Sequence, residues 1–248
     1  MIENRKRVKE MVIKMNQEKL SLRLEKVTNY IRKGSKLADI GSDHAYLPCY
    51  CIQHEICSFA VAGEVVKGPF ESALKQVKSV GLEDKIDVRF GSGLEVIEPG
   101  EVDCITIAGM GGTLIATILE EGKGKLVGKE RLILQPNISA ISIRKWLYSN
   151  GWEIIYEEIV EEDGKIYEIV VAEKGNQDAP YEELEKEWLF GPFLLKEKSS
   201  IFKSKWMHES NQWRKILQAL ENADETEEVK RKRLELMQKI QWTEELFS

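Results

Sequence analysis

Leu37-Ala-Asp-Ile-Gly-Ser-Asp-His-Ala-Tyr-Leu-Pro48 decides how the rest of the chain is read. An apolar run carries into Asp39, breaks at Gly41 and resumes as either a helix entry or a tight loop, the way a buried parallel strand delivers backbone to a ligand. Outward from this stretch, strands and helices alternate. Strand one covers 36–40 and a helix follows over 44–54. Strand two is 58–62, an amphipathic helix over 71–80 closes at Gly81, and strand three is 86–90. Strand four spans 102–108 and a helix opens over 113–119 beyond a Gly-rich turn. Strand five is 131–134, and a helix over 139–149 stops at Asn150-Gly151. Five strands with helices between them predict a doubly wound parallel sheet.

The pattern changes after Gly151. Strand-like runs at 152–160 and 165–173 flank Glu162-Asp-Gly164, whose Asp-Gly is a strong hairpin signal. Five parallel strands finished by an antiparallel hairpin match the layout of class I methyltransferases, not the standard dinucleotide-binding one. Ahead of strand one, Leu20, Leu24, Val27 and Ile31 make one apolar helical stripe ended by Gly34, which leaves Arg23, Lys26, Arg32 and Lys33 outside.

Three segments are expected. Residues 1–19 read as an extension, with Met11 and Met15 as alternative starts, and 20–175 hold the sheet. Gly175-Asn-Gln-Asp-Ala-Pro180 is a linker by composition, so 176–248 form a second unit. There Leu189-Phe-Gly-Pro192 breaks the chain. A helix over 193–223 then carries Trp206, Trp213 and Leu220, and a polar turn leads to a second helix with Val229, Leu236, Ile240, Thr243 and Phe247, interrupted by Arg233. This predicts a coiled-coil-like antiparallel hairpin. Its two tryptophans pack against the second helix in preference to stacking on nucleobases.

At 248 residues and 42% hydrophobic, the chain can bury a sizeable core. It has no run of 18 apolar residues and its first residues are charged, so a cytoplasmic protein with no membrane partner is expected. The net charge of −6 is unevenly spread, with ten Lys/Arg against four Asp/Glu in residues 1–35 and 13 against 22 in residues 36–172. The basic charge is therefore local. A second basic knot, Lys230-Arg-Lys-Arg233, reads as a solvated helix face. Cys49, Cys51, Cys57 and Cys104 are expected as reduced, buried thiols. His44, Cys49, Cys51, His54 and Cys57 lie close in sequence. On a helix, however, Cys49 and Cys51 point about 200° apart and no Cys-x-x-Cys is present, so no metal is expected.

In an open parallel sheet the ligand sits outside the carboxyl ends of the strands. Four glycine-bearing loops should meet there: 41–47, Gly63-Glu64, Gly91-Ser-Gly93 and Ala108-Gly-Met-Gly-Gly112. Glu64 is placed to accept both hydroxyls of a ribose, which fits either NAD or S-adenosylmethionine. The first loop separates the two. A pyrophosphate wants Gly-x-Gly-x-x-Gly at a helix N-terminus, whereas this loop offers one glycine followed by Asp43 and Ala45. Asp43 would repel a pyrophosphate but is compatible with a sulfonium, so S-adenosylmethionine is favoured.

The opening stretch, together with Ala62-Gly-Glu-Val-Val-Lys-Gly-Pro-Phe-Glu-Ser-Ala73, Ile107-Ala-Gly-Met-Gly-Gly112 and Leu132-Ile-Leu-Gln-Pro-Asn137, resembles the TrmK family of bacterial tRNA (adenine-22 N1)-methyltransferases. The resemblance runs from about Leu20 to the C-terminus. It implies a class I S-adenosylmethionine-dependent domain followed by a coiled-coil-like helical one, with tRNA as partner; a monomer is expected. Carried over by motif, Asp39 and Gly41 would shape the methionine end of the cofactor site and Glu64 would hold the ribose. Ser92 and Gly93 would lie by the adenine, and Ala108, Gly109 and Met110 would form the wall between cofactor and target base. The loop Gln135-Pro-Asn137 would face the same cleft.

Adenine N1 carries an in-plane lone pair, so positioning matters more than a general base. The product base is cationic, and a carboxylate nearby would stabilise it. Asp43 is the expected carboxylate, with His44, Tyr46 and Asn137 orienting the base. The alternatives are methylation of another RNA position or a small molecule, and a non-catalytic RNA-binding protein that retains the cofactor fold.

Overall fold

The computed structural model describes residues 20–221 and 224–248. The expected N-terminal extension, and residues 222–223 of the expected polar turn, lie outside them.

Seven strands form one sheet: β1 (Ser35–Ile40), β2 (Cys57–Glu64), β3 (Ile86–Phe90), β4 (Cys104–Gly111), β5 (Arg131–Ile138), β6 (Trp152–Glu162) and β7 (Lys165–Lys174). Their order is β3-β2-β1-β4-β5-β7-β6. The first five are parallel, and β7 runs antiparallel to both β5 and β6. Helices α1 (Leu22–Thr28), α2 (Tyr46–Gln53), α3 (Lys67–Ser79), α4 (Gly112–Glu121) and α5 (Ala140–Ser149) cover the two faces. Alternation along β1 sends Ala38 and Ile40 to one core and Leu37 to the other. A strand buried on both faces needs apolar residues on both, which is why this segment reads as a continuous apolar run. All four cysteines are free and buried in the core that holds Leu37.

The strands reach further than the sequence suggests. β4 continues through Gly109 to Gly111, and β5 continues through Pro136 to Ile138. The segment Gln135-Pro-Asn137, expected as a loop, is thus part of a strand. Pro136 lacks an N–H, but it faces Met110 where the register shifts, so the ladder tolerates it. α2 starts at Tyr46, two residues later than expected, because Asp43–Ala45 form a separate turn.

α1 is shorter than the helix expected from Leu20 to Gly34: it ends at Thr28, so Leu20 and Ile31 lie outside it, although both are buried with Val27. Its cations do not all face outward. Lys26 pairs with Glu158 at 2.6 Å, Arg32 pairs with Glu173, and Arg23 reaches inward toward β5 and β6. Lys33 remains exposed.

The C-terminal part holds α6 (Leu184–Phe190), α7 (Pro192–Glu197), α8 (Ser200–Leu220) and α9 (Glu227–Phe247). The single helix expected over 193–223 is two helices, parted at Lys198, whose backbone is left-handed at φ 50°. Ser199 and Thr226 cap α8 and α9 through their hydroxyls. α8 and α9 run antiparallel: Phe202 meets Phe247, Arg214 pairs with Glu244, and Arg233 donates to the Leu220 carbonyl. That last bond explains the charge in the apolar stripe, since Arg233 satisfies an end carbonyl of α8. Trp206 and Trp213 are buried, Trp206 edge-on to Phe190. In the basic knot, Lys230 and Lys232 pair with glutamates on their own helix.

Candidate active site

The crevice lies where β1 separates β2 from β4 and the connections leave in opposite directions. Gly41 and Ser42 both donate their N–H groups to the Gly63 carbonyl, at 2.9 and 3.1 Å. Gly41 has φ 71°, and a Cβ there would strike the Met110 side chain. The backbone conformation therefore favours glycine at 41, whereas the end of the flexible Met110 side chain could move aside. Asp39 is buried and accepts from Ser42 Oγ at 2.7 Å and Thr106 Oγ1 at 2.6 Å. Burial pushes its carboxyl up to about 6 against the pull of those two hydroxyls. Ser42 and Thr106 did not emerge as site residues from the sequence. A threonine inside the apolar run of β4 was the available signal.

Asp43, His44 and Ala45 all have positive φ, at 28°, 63° and 55°. Three successive non-glycine residues in that region are costly unless their surroundings fix them. Here Glu64, buried at the end of β2, accepts the Asp43 N–H at 2.7 Å, Ala45 is buried and donates to the Ser42 carbonyl, and α3 packs on the turn. The Asp43 side chain is consequently 80% exposed, with Oδ1 3.5 Å from His44 Nε2. The His44 ring stacks on Tyr46, centroids 5.3 Å apart.

On the far wall, Gly109 at φ 77° forms a bulge in β4. Its N–H donates to Gln135 Oε1 at 3.0 Å, and its carbonyl accepts from Asn137 Nδ2 at 2.7 Å. Gln135 Oε1 also accepts from Arg23 Nη1. Arg23 lies over the Tyr167 ring at 5.3 Å and within 3.9 Å of a Glu162 oxygen. Arg23 is 112 residues from Gln135, so local pattern could not reveal the contact.

Gly91 donates to the Glu64 carbonyl at 2.9 Å, which brings the turn at Ser92 and Gly93 to the same strand ends. Ser92 donates its N–H to Glu95 at 3.2 Å, and Gly93 has φ 52°, where a Cβ would lie tightly, 3.0 Å, against Ile118. The structure thus joins Asp39, Gly41, Asp43, Glu64 and Met110 in one connected cluster. His44 and Tyr46 extend it on the first loop. Ala108 leads into the bulge at Gly109, which is bonded to Asn137 on the neighbouring strand of the same wall.

A glycine-lined crevice at the switch point, an acidic residue ending β2, and an antiparallel β6–β7 finish define a class I methyltransferase fold. The sequence model of the TrmK family, described as tRNA (adenine(22)-N(1))-methyltransferase, matches residues 37–245. The tRNA (adenine(22)-N(1))-methyltransferase of Bacillus subtilis (strain 168) is 53% identical over 235 residues, 94% of this chain and 99% of that protein. Among solved structures, the B. subtilis M1A22 tRNA methyltransferase TrmK superposes with a TM-score of 0.90 at 52% identity, covering 93% of this chain and all of that one. Streptococcus pneumoniae Sp1610 in complex with S-adenosyl-L-methionine gives 0.82 at 44% identity, over 93% and 100%. M. capricolum TrmK in complex with S-adenosyl-homocysteine gives 0.77 at 31%, over 91% and 96%. The chain belongs to the TrmK family.

Proposed function

We infer that this protein transfers a methyl group from S-adenosyl-L-methionine to N1 of adenine 22 in tRNA. The observation that carries the reading is that the family match falls on the residues that line the switch-point crevice.

The residues present fit the cofactor. Glu64 gives one oxygen to the Asp43 N–H, which leaves its Oε2 for a ribose hydroxyl. Gly41 and Gly93, both at positive φ, turn the backbone at the ends of the strands where the cofactor would lie, and Asp39 supplies negative charge for the amino-acid end. When bound, S-adenosyl-L-methionine supplies an electrophilic methyl group on a sulfonium. The chain's own task is then to place adenine N1 and to offset the positive charge the base acquires as the N1–CH3 bond forms and the S–CH3 bond breaks. We assign the offset to Asp43 and the orientation of the base to His44, Tyr46 and Asn137. The base must leave its stack to reach them. Among the described residues no helix is long and apolar enough to cross a membrane. Four free thiols and a tRNA substrate support a cytoplasmic setting.

The test is methyl transfer to tRNA transcripts, with the modified nucleoside identified by mass. Adenine 22 replaced by guanine is expected to abolish incorporation of 1-methyladenosine. Undiminished methylation of that transcript would move the target elsewhere.

A further inference from the structure

Beyond Asn137 the surface opens into a cleft of about 540 Å³ between the start of α5, the end of the β6–β7 hairpin and one face of α8. An adjoining smaller recess, sharing Asn137, Ile138 and Lys205 with it, reaches Pro136, whose register partner is Met110 on β4. Asn137 lines both recesses, so the cleft begins beside the residue assigned above to orienting the methyl acceptor, within reach of a nucleotide covalently next to it.

Its chemistry selects the part of the nucleotide. Ile138, 70% exposed, and Ile166 give an apolar flank for a ring face. Glu161 and Glu209 line the cleft with no ion-pair partner among the described residues. Glu168, by contrast, is neutralised by Arg144 and Lys205. The Trp206 indole N–H, in the same lining, is buried without a hydrogen-bond partner. Uncompensated carboxylates repel phosphate and accept N–H donors, so the lining admits a base and turns away the RNA backbone.

We propose that this cleft is a second nucleobase pocket, taking an unpaired, amino-bearing base that flanks the target adenine, so that two neighbouring nucleotides leave the stack together. The assignment rests on the tRNA reading above. Ile138 supplies the stacking surface, and Glu161 and Glu209 take the exocyclic amine. Holding the neighbour fixes the strand on which the target turns outward.

The experiment measures methylation kinetics on intact transcripts and on transcripts made abasic immediately 5′ or 3′ of the target, for the wild type and for Ser204→Trp. Ser204 is an exposed α8 residue lining the cleft, and tryptophan there fills it. For the wild type, one of the two abasic positions should raise KM for tRNA by roughly tenfold. Ser204→Trp should raise KM on intact tRNA comparably and be insensitive to the same abasic position. Calorimetric affinity for S-adenosyl-L-methionine should be unchanged, which reports that the variant is folded. An unchanged wild-type KM on both abasic transcripts, or variant and abasic effects that multiply independently, overturns the pocket. Absence of methylation by the wild type on intact tRNA would overturn the functional reading itself, a separate outcome.

Discussion

Asp43 is held by its backbone, and its side chain is left to the solvent. Its N–H is fixed on Glu64 while the carboxylate stays 80% exposed, so backbone and side chain can be perturbed separately. Replacing the side chain should leave the Glu64 contact intact. Asp43→Ala is therefore expected to lower kcat by about 10²-fold, the scale of one lost transition-state contact, while affinity for S-adenosyl-L-methionine is retained. Turnover near that of the wild type, with tRNA bound, would remove Asp43 from the role. At this scale the sequence was informative where a residue's place follows from the end of a strand. Asp39, Gly41 and Glu64 were legible because an apolar run stops at each of those points. The left-handed turn at 43–45 was not, because non-glycine residues adopt it only under contacts such as that from Glu64, some 20 positions away.

At the scale of elements, the order of strands and helices could be read from periodicity, but their ends could not. Gly109 and Pro136 look like terminators, yet each sits in a strand whose neighbour compensates: the bulge at Gly109 is bonded by Gln135 and Asn137, and Pro136 falls at a register shift. Those two extensions build the wall facing the first loop. α1 braces the wall from outside through Arg23, which holds the Gln135 oxygen that also receives Gly109. We assign Arg23 a positioning role. Arg23→Met should loosen Gly109 and Asn137 and lower kcat by roughly tenfold, with KM for S-adenosyl-L-methionine little changed; Arg23→Lys should restore part of the loss. If kcat is preserved and only the melting temperature falls, Arg23 is a structural brace alone.

Across the whole molecule, the sheet and the C-terminal helices are joined by a buried ionic cluster that no sequence pattern announced. Arg144 on α5 is fully buried. It bonds Glu157 of β6 at 2.7 Å, Glu168 of β7, and the carbonyls of Trp188 and Leu189 on α6. Glu157 also accepts the Phe193 N–H of α7, and Lys205 of α8 closes on Glu168. Gly191 at φ 89° is required between α6 and α7, since a Cβ there would lie 2.6 Å from Arg144. This is the physical content of the Leu189-Phe-Gly-Pro192 break. α6 and α7 follow the linker in sequence yet supply partners to the sheet, so cutting the chain at 175 would strip polar groups from Arg144 and Glu157. In the intact cluster, burial raises the Glu157 carboxyl while Lys205 and Arg144 outweigh burial at Glu168 and lower it. The two shifts oppose each other in their effect on stability against pH. Arg144→Ala leaves Glu157 buried without its cation, and such a loss costs about 3–5 kcal/mol. With the folded-state carboxyl pushed further up, the variant regains stability when Glu157 is protonated and loses it as pH rises through that raised value. Urea unfolding followed by tryptophan fluorescence should therefore show a larger deficit at pH 8 than at pH 5, both values on the order of the carboxylate range and above. A deficit that is small and equal at the two pH values would mean that the cluster does not join the two parts of the molecule energetically.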